Sequence, residues 1–183
     1  MMRPMKKILL GVGLAALLAG CLDTGLVSVD AFTIKFVSQY RSDSGKSYIC
    51  DNKDTDVLIQ FDAVERQPGA LTRFKGTLFG RKTGDYQIPA GDILISETRF
   101  YQKTGNTYKY VVTIAPYKSP LNAPLKPQAL TPQALVVTPV PKPLPANPNV
   151  IGTAELRLAV FDTAGSSSSG SFGDKIDVIN NCN

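Results

Sequence analysis

From Ala31 onward apolar side chains recur at every second position, and no other feature constrains this chain as strongly. In "AFTIKFV" (31–37) Phe32, Ile34 and Phe36 fall on one face, and in "DVLIQFD" (56–62) Val57, Ile59 and Phe61 do the same. A strand turns successive side chains to opposite faces, so a period of two describes a half-buried strand; an amphipathic helix repeats every 3.6 residues. The pattern continues through "LTRFKGTLF" (71–79), "DILISETRFY" (92–101), "TYKYVVTI" (107–114), "TAELRLAVF" (153–161) and "KIDVI" (175–179). Turn signals separate the runs at Ser44-Gly45, Thr83-Gly84-Asp85, Thr104-Gly105-Asn106 and Ala164-Gly165. No window beyond residue 21 has the helical period. Short, mostly antiparallel strands at hairpin spacing predict an all-β fold, a single antiparallel β-sandwich over residues 31–183.

One segment breaks the pattern. Residues 116–149 hold 10 of the 13 prolines, and "PQALT" and "PQALV" (127–136) form a small tandem repeat within it. Proline fixes φ and has no amide hydrogen, so this stretch is excluded from a central strand and is expected to be extended and polyproline-II-like. Strand patterning resumes after it, which makes it an insertion within the domain. Inserted segments this long are either functional, here as a docking arm for a partner, or disordered, and both readings stand at this point.

At the other end, Lys6 and Lys7 precede an apolar run from Ile8 to Ala19. A membrane span needs about 20 apolar residues, so this shorter run reads as an export signal. Leu18-Ala19-Gly20-Cys21 follows at once. These four residues resemble the lipobox of bacterial lipoproteins. The resemblance implies that residues 1–20 are a cleaved signal peptide, that Cys21 carries a diacylglyceryl group and an amide-linked palmitate-type chain, and that residues 21–30 form a lipidated tether. One acyl chain binds a bilayer only marginally, whereas two or more anchor it stably, each buried methylene contributing about 0.8 kcal/mol. The implied location is the cell envelope, on the membrane and facing periplasm or exterior. Leu22 and not aspartate follows the cysteine, which in enterobacterial lipoproteins favours the outer membrane where there is one.

Loss of residues 1–20 removes Arg3, Lys6 and Lys7 and no acid, so the net charge falls from +5 to +2, with 17 basic against 15 acidic residues. No basic tract remains for nucleic acid. The chain has no histidine and no tryptophan. Ser-His-Asp and Cys-His catalysis and His-ligated zinc or copper are thereby excluded. We expect no enzyme activity, no catalytic or metal-binding residue and no cofactor. In the oxidising envelope that the lipobox implies, the two remaining thiols, Cys50 and Cys182, are expected to pair, the alternative being two free buried thiols. For so long a closed loop the chain-entropy model gives about 5 kcal/mol, an upper figure.

Several motifs have a plainer reading beside the functional one. "RSDSGKS" (41–47) contains the Gly-Lys-Ser of a phosphate loop, but Tyr40 replaces its first glycine and a strand follows, so it reads as a hairpin turn. "DNKDTD" (51–56) groups Asp51, Asp54 and Asp56 as weak calcium candidates, or as a polar connection between strands. Asp92 and Glu97 are the pair that a glycosidase would need. Tyr101, Tyr108 and Tyr110 read either as a sugar-stacking platform or as core packing. "SSSSG" (166–170) reads as a mobile loop tip.

The stretch "ELRLAVFDTAGSSSSGSFGDKIDV" (155–178) resembles the final hairpin of bacterial immunoglobulin-like and fibronectin-III-like domains, which implies that kind of sandwich. The expected function is non-catalytic: a structural or interaction subunit held to the membrane through lipid on Cys21 and docked on a protein partner in a larger envelope assembly. The alternative is a ligand-binding module for glycan or a small apolar molecule. A docking subunit presents an exposed apolar patch or an ordered proline-rich arm. A ligand module presents a concave pocket with convergent polar groups.

Overall fold

The structure, a computed structural model, describes residues 25–82, 88–95, 98–115, 130–171 and 175–182. Cys21, Glu97 and residues 116–129 lie outside these ranges. In chain order the first six strands are β1 Val27–Ser38, β2 Tyr40–Arg41, β3 Ser47–Cys50, β4 Thr55–Glu65, β5 Leu71–Lys82 and β6 Ile88–Ile95. They are followed by β7 Gln102–Thr104, β8 Thr107–Ile114, β9 Leu130–Pro132, β10 Val150–Asp162, β11 Ser167–Ser171 and β12 Ile176–Ile179.

Two sheets result, as the period of two demands. The first runs β1-β4-β8-β7, with β9 also paired to β8; the second runs β2-β3-β12-β10-β5-β6, with β11 also paired to β10. Each sheet has one strand, β8 or β10, that takes partners in two different patterns on its two flanks. One flank of that strand meets a long neighbour, and the other takes two short strands in succession. Among the described residues the fold is all-β apart from a 3-10 turn at Thr98–Phe100.

The inward faces meet in an aromatic cluster. Phe61 of β4 stacks on Tyr108 of β8 at 5.4 Å and meets Phe74 of β5, in the opposite sheet, edge-on at 5.3 Å. Tyr110 closes on Phe74 at 4.9 Å. Leu156, Leu158 and Val160, at alternate positions of β10, fill the layer beneath and are almost fully buried. Each large side chain removed from water in this way contributes about 1.5–3 kcal/mol.

The pairing of β3 with β12 is parallel, from Tyr48 opposite Asp177 to Cys50 opposite Ile179. Both strands therefore end at the same corner. There Cys50 and Cys182 are joined by a disulfide with Cα atoms 6.2 Å apart, across a sequence separation of 132. Asn52 holds the adjoining backbone, accepting from the Cys182 amide at 3.2 Å and donating to the Cys182 carbonyl at 3.3 Å. Tyr40 and Ile179 complete a second, smaller core around the two cysteines.

Four expectations need correction. Val27 to Asp30, expected within a tether over residues 21–30, belong to β1 and pair with Asp62 to Glu65. The Leu26 amide is also fixed, by Asp162 Oδ2 at 2.8 Å. Phe32 does not join Ile34 and Phe36 in the core: it is 99% exposed, while they are 5% and 7% exposed. The register of β1 against β4 shifts between Asp30 and Lys35, and this bulge breaks the alternation. The strand expected over 92–101 ends at Ile95, and the 3-10 turn then brings Tyr101 back against Phe74 at 5.3 Å.

The serine tract, finally, is not a loop tip. Ser167 to Ser171 pair with Phe161 to Arg157 as β11, and the turn before them is closed by Asp162. Its Oδ1 accepts the Ala164 and Ser166 amides, both at 2.9 Å, and Gly165 supplies a φ of +81° that a side chain would resist. Hydrogen bonds from the amides of Leu26, Ser166, Ala164 and Gly165 outweigh partial burial and hold the Asp162 carboxyl below its usual range.

Candidate interaction surfaces

The described half of the proline-rich segment, residues 130–149, is an ordered strap. It starts as β9 on the edge of β8, where Pro132 sits opposite Val112. An edge position suits proline, which has no amide hydrogen to offer a further strand. The Gln133 amide then donates to the Val111 carbonyl at 2.9 Å, and its side-chain amide donates to Thr113 Oγ1 at 2.6 Å and Asp56 Oδ1 at 2.9 Å. Thr113 and Asp56 face each other on β8 and β4, so Gln133 reaches across two strands of the first sheet.

At its far end the strap joins β2. The Lys142 amide donates to the Gln39 carbonyl at 2.8 Å, and Arg41 donates to the Pro139 carbonyl at 3.5 Å. Leu144 packs on the small core around the disulfide, and Asn149 is bonded to Asn180 and Asn181. Leu58 and Val111 point away from the main core by alternation, yet are 6% and 1% exposed. The strap thus spans both sheets at one end of the sandwich.

Between its fastenings it turns apolar side chains to solvent. Leu135 is 69% exposed, Val137 52% and Val140 79%. A second feature lies beside it, a groove of about 680 Å³ between the β2–β3 turn and the strap, lined by Arg41, Asp43, Tyr48, Lys142, Leu144 and Pro145 among others. The sequence does not mark the fastening roles of Gln133, Gln39 and Arg41, because nothing in a lone amide or guanidinium shows which distant carbonyl it will meet. Leu135, Val137 and Val140 carried a signal: apolar residues spaced by two and three in a stretch too rich in proline to bury them in a sheet.

The most perturbed titratable groups form a cluster at the opposite end. Glu65 accepts hydrogen bonds from Lys103 and Tyr108 and, at 3.3 Å, from the Leu71 amide. Burial alone would raise its carboxyl; these hydrogen bonds and the lysine charge outweigh that and lower it from 4.5 to about 2. The Lys103 ammonium is raised by the same contacts, and burial with the Glu65 contact pushes Tyr108 up to about 12. A carboxylate already saturated by three donors is a poor proton acceptor, so the cluster is a clamp between β4, β5, β7 and β8.

Its pH dependence follows from the sign of the shift. The carboxyl stays ionised in the folded chain while its unfolded counterpart protonates, so the stabilisation is complete above pH 4.5 and is lost as pH falls toward 2. Glu65→Gln is expected to lower stability at neutral pH by about 3 kcal/mol and to flatten acid unfolding across that window. Urea unfolding at a series of pH values measures both. Parallel pH profiles for the two proteins would sink the assignment.

The other candidates are dispersed. Tyr108 and Tyr110 are buried in the core and Tyr101 packs against it, so they present no sugar-stacking platform. The Asp56 carboxylate is taken by Thr113 and Gln133, while the Asp54 carbonyl accepts from Gln39. Asp51, Asp54 and Asp56 do not converge: among the described residues no three His, Cys, Asp or Glu side chains come together as a metal site. Asp92 lies on β6 opposite Thr77, and its side chain, like all of Glu97, is outside the described set. The Gly-Lys-Ser stretch is the turn joining β2 to β3, where Gly45 has a φ of +84°.

No family model matches the chain, and no curated protein matches it. Among solved structures it is similar to Spo0M, the sporulation control protein of Bacillus subtilis, at 9% identity and a TM-score of 0.34. The match covers 86% of this chain and 51% of that one, so the chain spans about half the length of Spo0M. A likeness at this level carries no argument about family or activity.

Proposed function

We propose that this chain is a non-catalytic interaction subunit of the cell envelope, an immunoglobulin-like sandwich held at the membrane by lipid on Cys21 and docked to a protein partner through its proline-rich strap. The supporting observation is the strap itself, hydrogen-bonded at both ends while Leu135, Val137 and Val140 stand exposed along it. A segment already fastened by hydrogen bonds at both ends has less conformational entropy to lose on binding than a free loop, which favours a docking role. Pairing of Cys50 with Cys182 fits an exported protein.

A second reading draws on the groove beside the strap, where Tyr48 and Leu144 with Arg41, Asp43 and Lys142 offer apolar and polar contacts to a glycan or small apolar ligand.

The test compares the tagged native chain with Leu135→Ser/Val137→Ser/Val140→Ser after gentle detergent extraction and affinity capture. Deleting the strap would remove Leu144 from the small core, whereas these exposed positions alter the surface alone. A stoichiometric envelope protein held by the native chain and lost by the variant supports docking. Identical captures, or none, reject it and turn attention to glycan binding in the groove.

A further inference from the structure

The Phe32 bulge is built, not frayed. The Phe32 amide donates to Asp30 Oδ1 at 3.0 Å, and the Thr33 hydroxyl donates to the Asp30 carbonyl at 2.7 Å. The same hydroxyl accepts the Asp62 amide at 2.8 Å, so the bulge stays tied to β4 while the ladder is interrupted. Its effect is to hold a phenylalanine, 99% exposed, on the edge strand of the first sheet. Leaving such a ring in water forgoes about 1.5–3 kcal/mol of burial.

Further along the same strand lies a groove of about 390 Å³ over Ile34 to Val37, closed by the β2–β3 turn and the start of β12. Lys35, Lys46 and Lys175 line it. Asp177 answers Lys46 at 2.7 Å, while Lys35 and Lys175 have no acidic partner among the described residues. An exposed aromatic ring on the same strand as Lys35, with Lys35 and Lys175 unpaired among the described residues, matches the chemistry of a bilayer surface, with acyl chains to receive the ring and phosphate headgroups to receive the charge. The chain outside the described residues points the same way. The apolar stretch Ile8–Ala19 and Cys21 precede Gly25 directly, and the 11 residues from Cys21 to Phe32 span less than about 40 Å even when extended.

We infer that Phe32 and the Lys35–Lys175 groove form a membrane-contact face, on which the domain lies against the phospholipid surface to which its N-terminus is attached. The inference rests on the anchored reading above and adds an orientation: the Phe32 and Lys35 side of β1 faces lipid.

The chain has no tryptophan, so Phe32→Trp installs a single indole reporter. The full chain carrying this substitution, purified from membranes, is placed in vesicles of phosphatidylcholine alone or mixed with phosphatidylglycerol. Indole emission is expected to shift to the blue, to be quenched by lipid-borne quenchers, and to shift further in the anionic vesicles. Adding Lys35→Gln and Lys175→Gln should lower the ratio of inserted to water-exposed indole by about 30-fold, at roughly fivefold per charge. Water-like emission in both vesicle types overturns the inference, as does a shift that follows protein density without lipid quenching, which would mark a protein contact. The mass of the N-terminal peptide reads the anchor separately. An acylated Cys21 with a water-exposed indole keeps the anchor and overturns the contact face; without acylation the anchor fails, and the response of the indole to added vesicles still decides.

Discussion

Cys50→Ser/Cys182→Ser is expected to lower the free energy of unfolding by about 2–5 kcal/mol. The closed loop spans 132 residues, for which chain entropy alone gives about 5 kcal/mol, the top of that range. The link also holds a particular piece of structure. β12 is only four residues long, and its partner β3 is equally short, so the corner where they meet has little ladder of its own. The disulfide, the Asn52 clamp and Leu144 of the strap together keep the C-terminal residues on that corner. Reduction should therefore loosen the strap and β12 before the aromatic core. Urea unfolding measures the total, and amide exchange locates the loss. Equal midpoints for the native and double-serine chains would show that the corner is held without the bond.

Phe74→Ala is expected to cost about 3–5 kcal/mol. Phe74 is fully buried and touches Phe61, Tyr101 and Tyr110 at ring distances of 5.3, 5.3 and 4.9 Å. All of these rings belong to, or lead into, the strands of the opposite sheet, so no small backbone movement can close the cavity. Tyr110→Phe provides the contrast. The Tyr110 hydroxyl is buried with no hydrogen-bond partner among the described residues, and burial raises its pKa. Deleting an unsatisfied polar atom while keeping the ring should leave stability unchanged or raise it. Denaturant midpoints for the two variants check both statements, and a loss at Tyr110→Phe as large as at Phe74→Ala would mean that the hydroxyl has a partner after all.

How legible the fold was in the sequence differs from element to element. Val57, Ile59 and Phe61, like Tyr108, Tyr110, Val112 and Ile114, alternate inward along β4 and β8, because those strands are flanked on both sides and their period is undisturbed. Phe32 fits the same pattern and points outward, because hydrogen bonds at Asp30, Thr33 and Asp62 set its bulge and no periodicity records them. The serine tract has the composition of a loop and forms a strand, because β10 is long enough to offer a free flank beyond the end of β12. The apolar residues of the strap were visible in the sequence as residues that no strand could bury. Their anchoring was not, since Gln133, Arg41 and Lys142 act on atoms tens of residues away.

The chain's own sequence determined the all-β character of the described residues, the turns at Gly45, Gly105 and Gly165 and the absence of histidine chemistry, since each depends on residue type and local spacing; the turn expected at Thr83-Gly84-Asp85 lies outside the described residues. The tertiary structure decided which strands became neighbours. It made β3 and β12 parallel at the disulfide corner, laid the proline-rich strap across both sheets, and left Phe32 of β1 in solvent. Pairing, burial and crossing are set by competition among distant segments for the same edges and faces, and that competition is settled only when the whole chain folds.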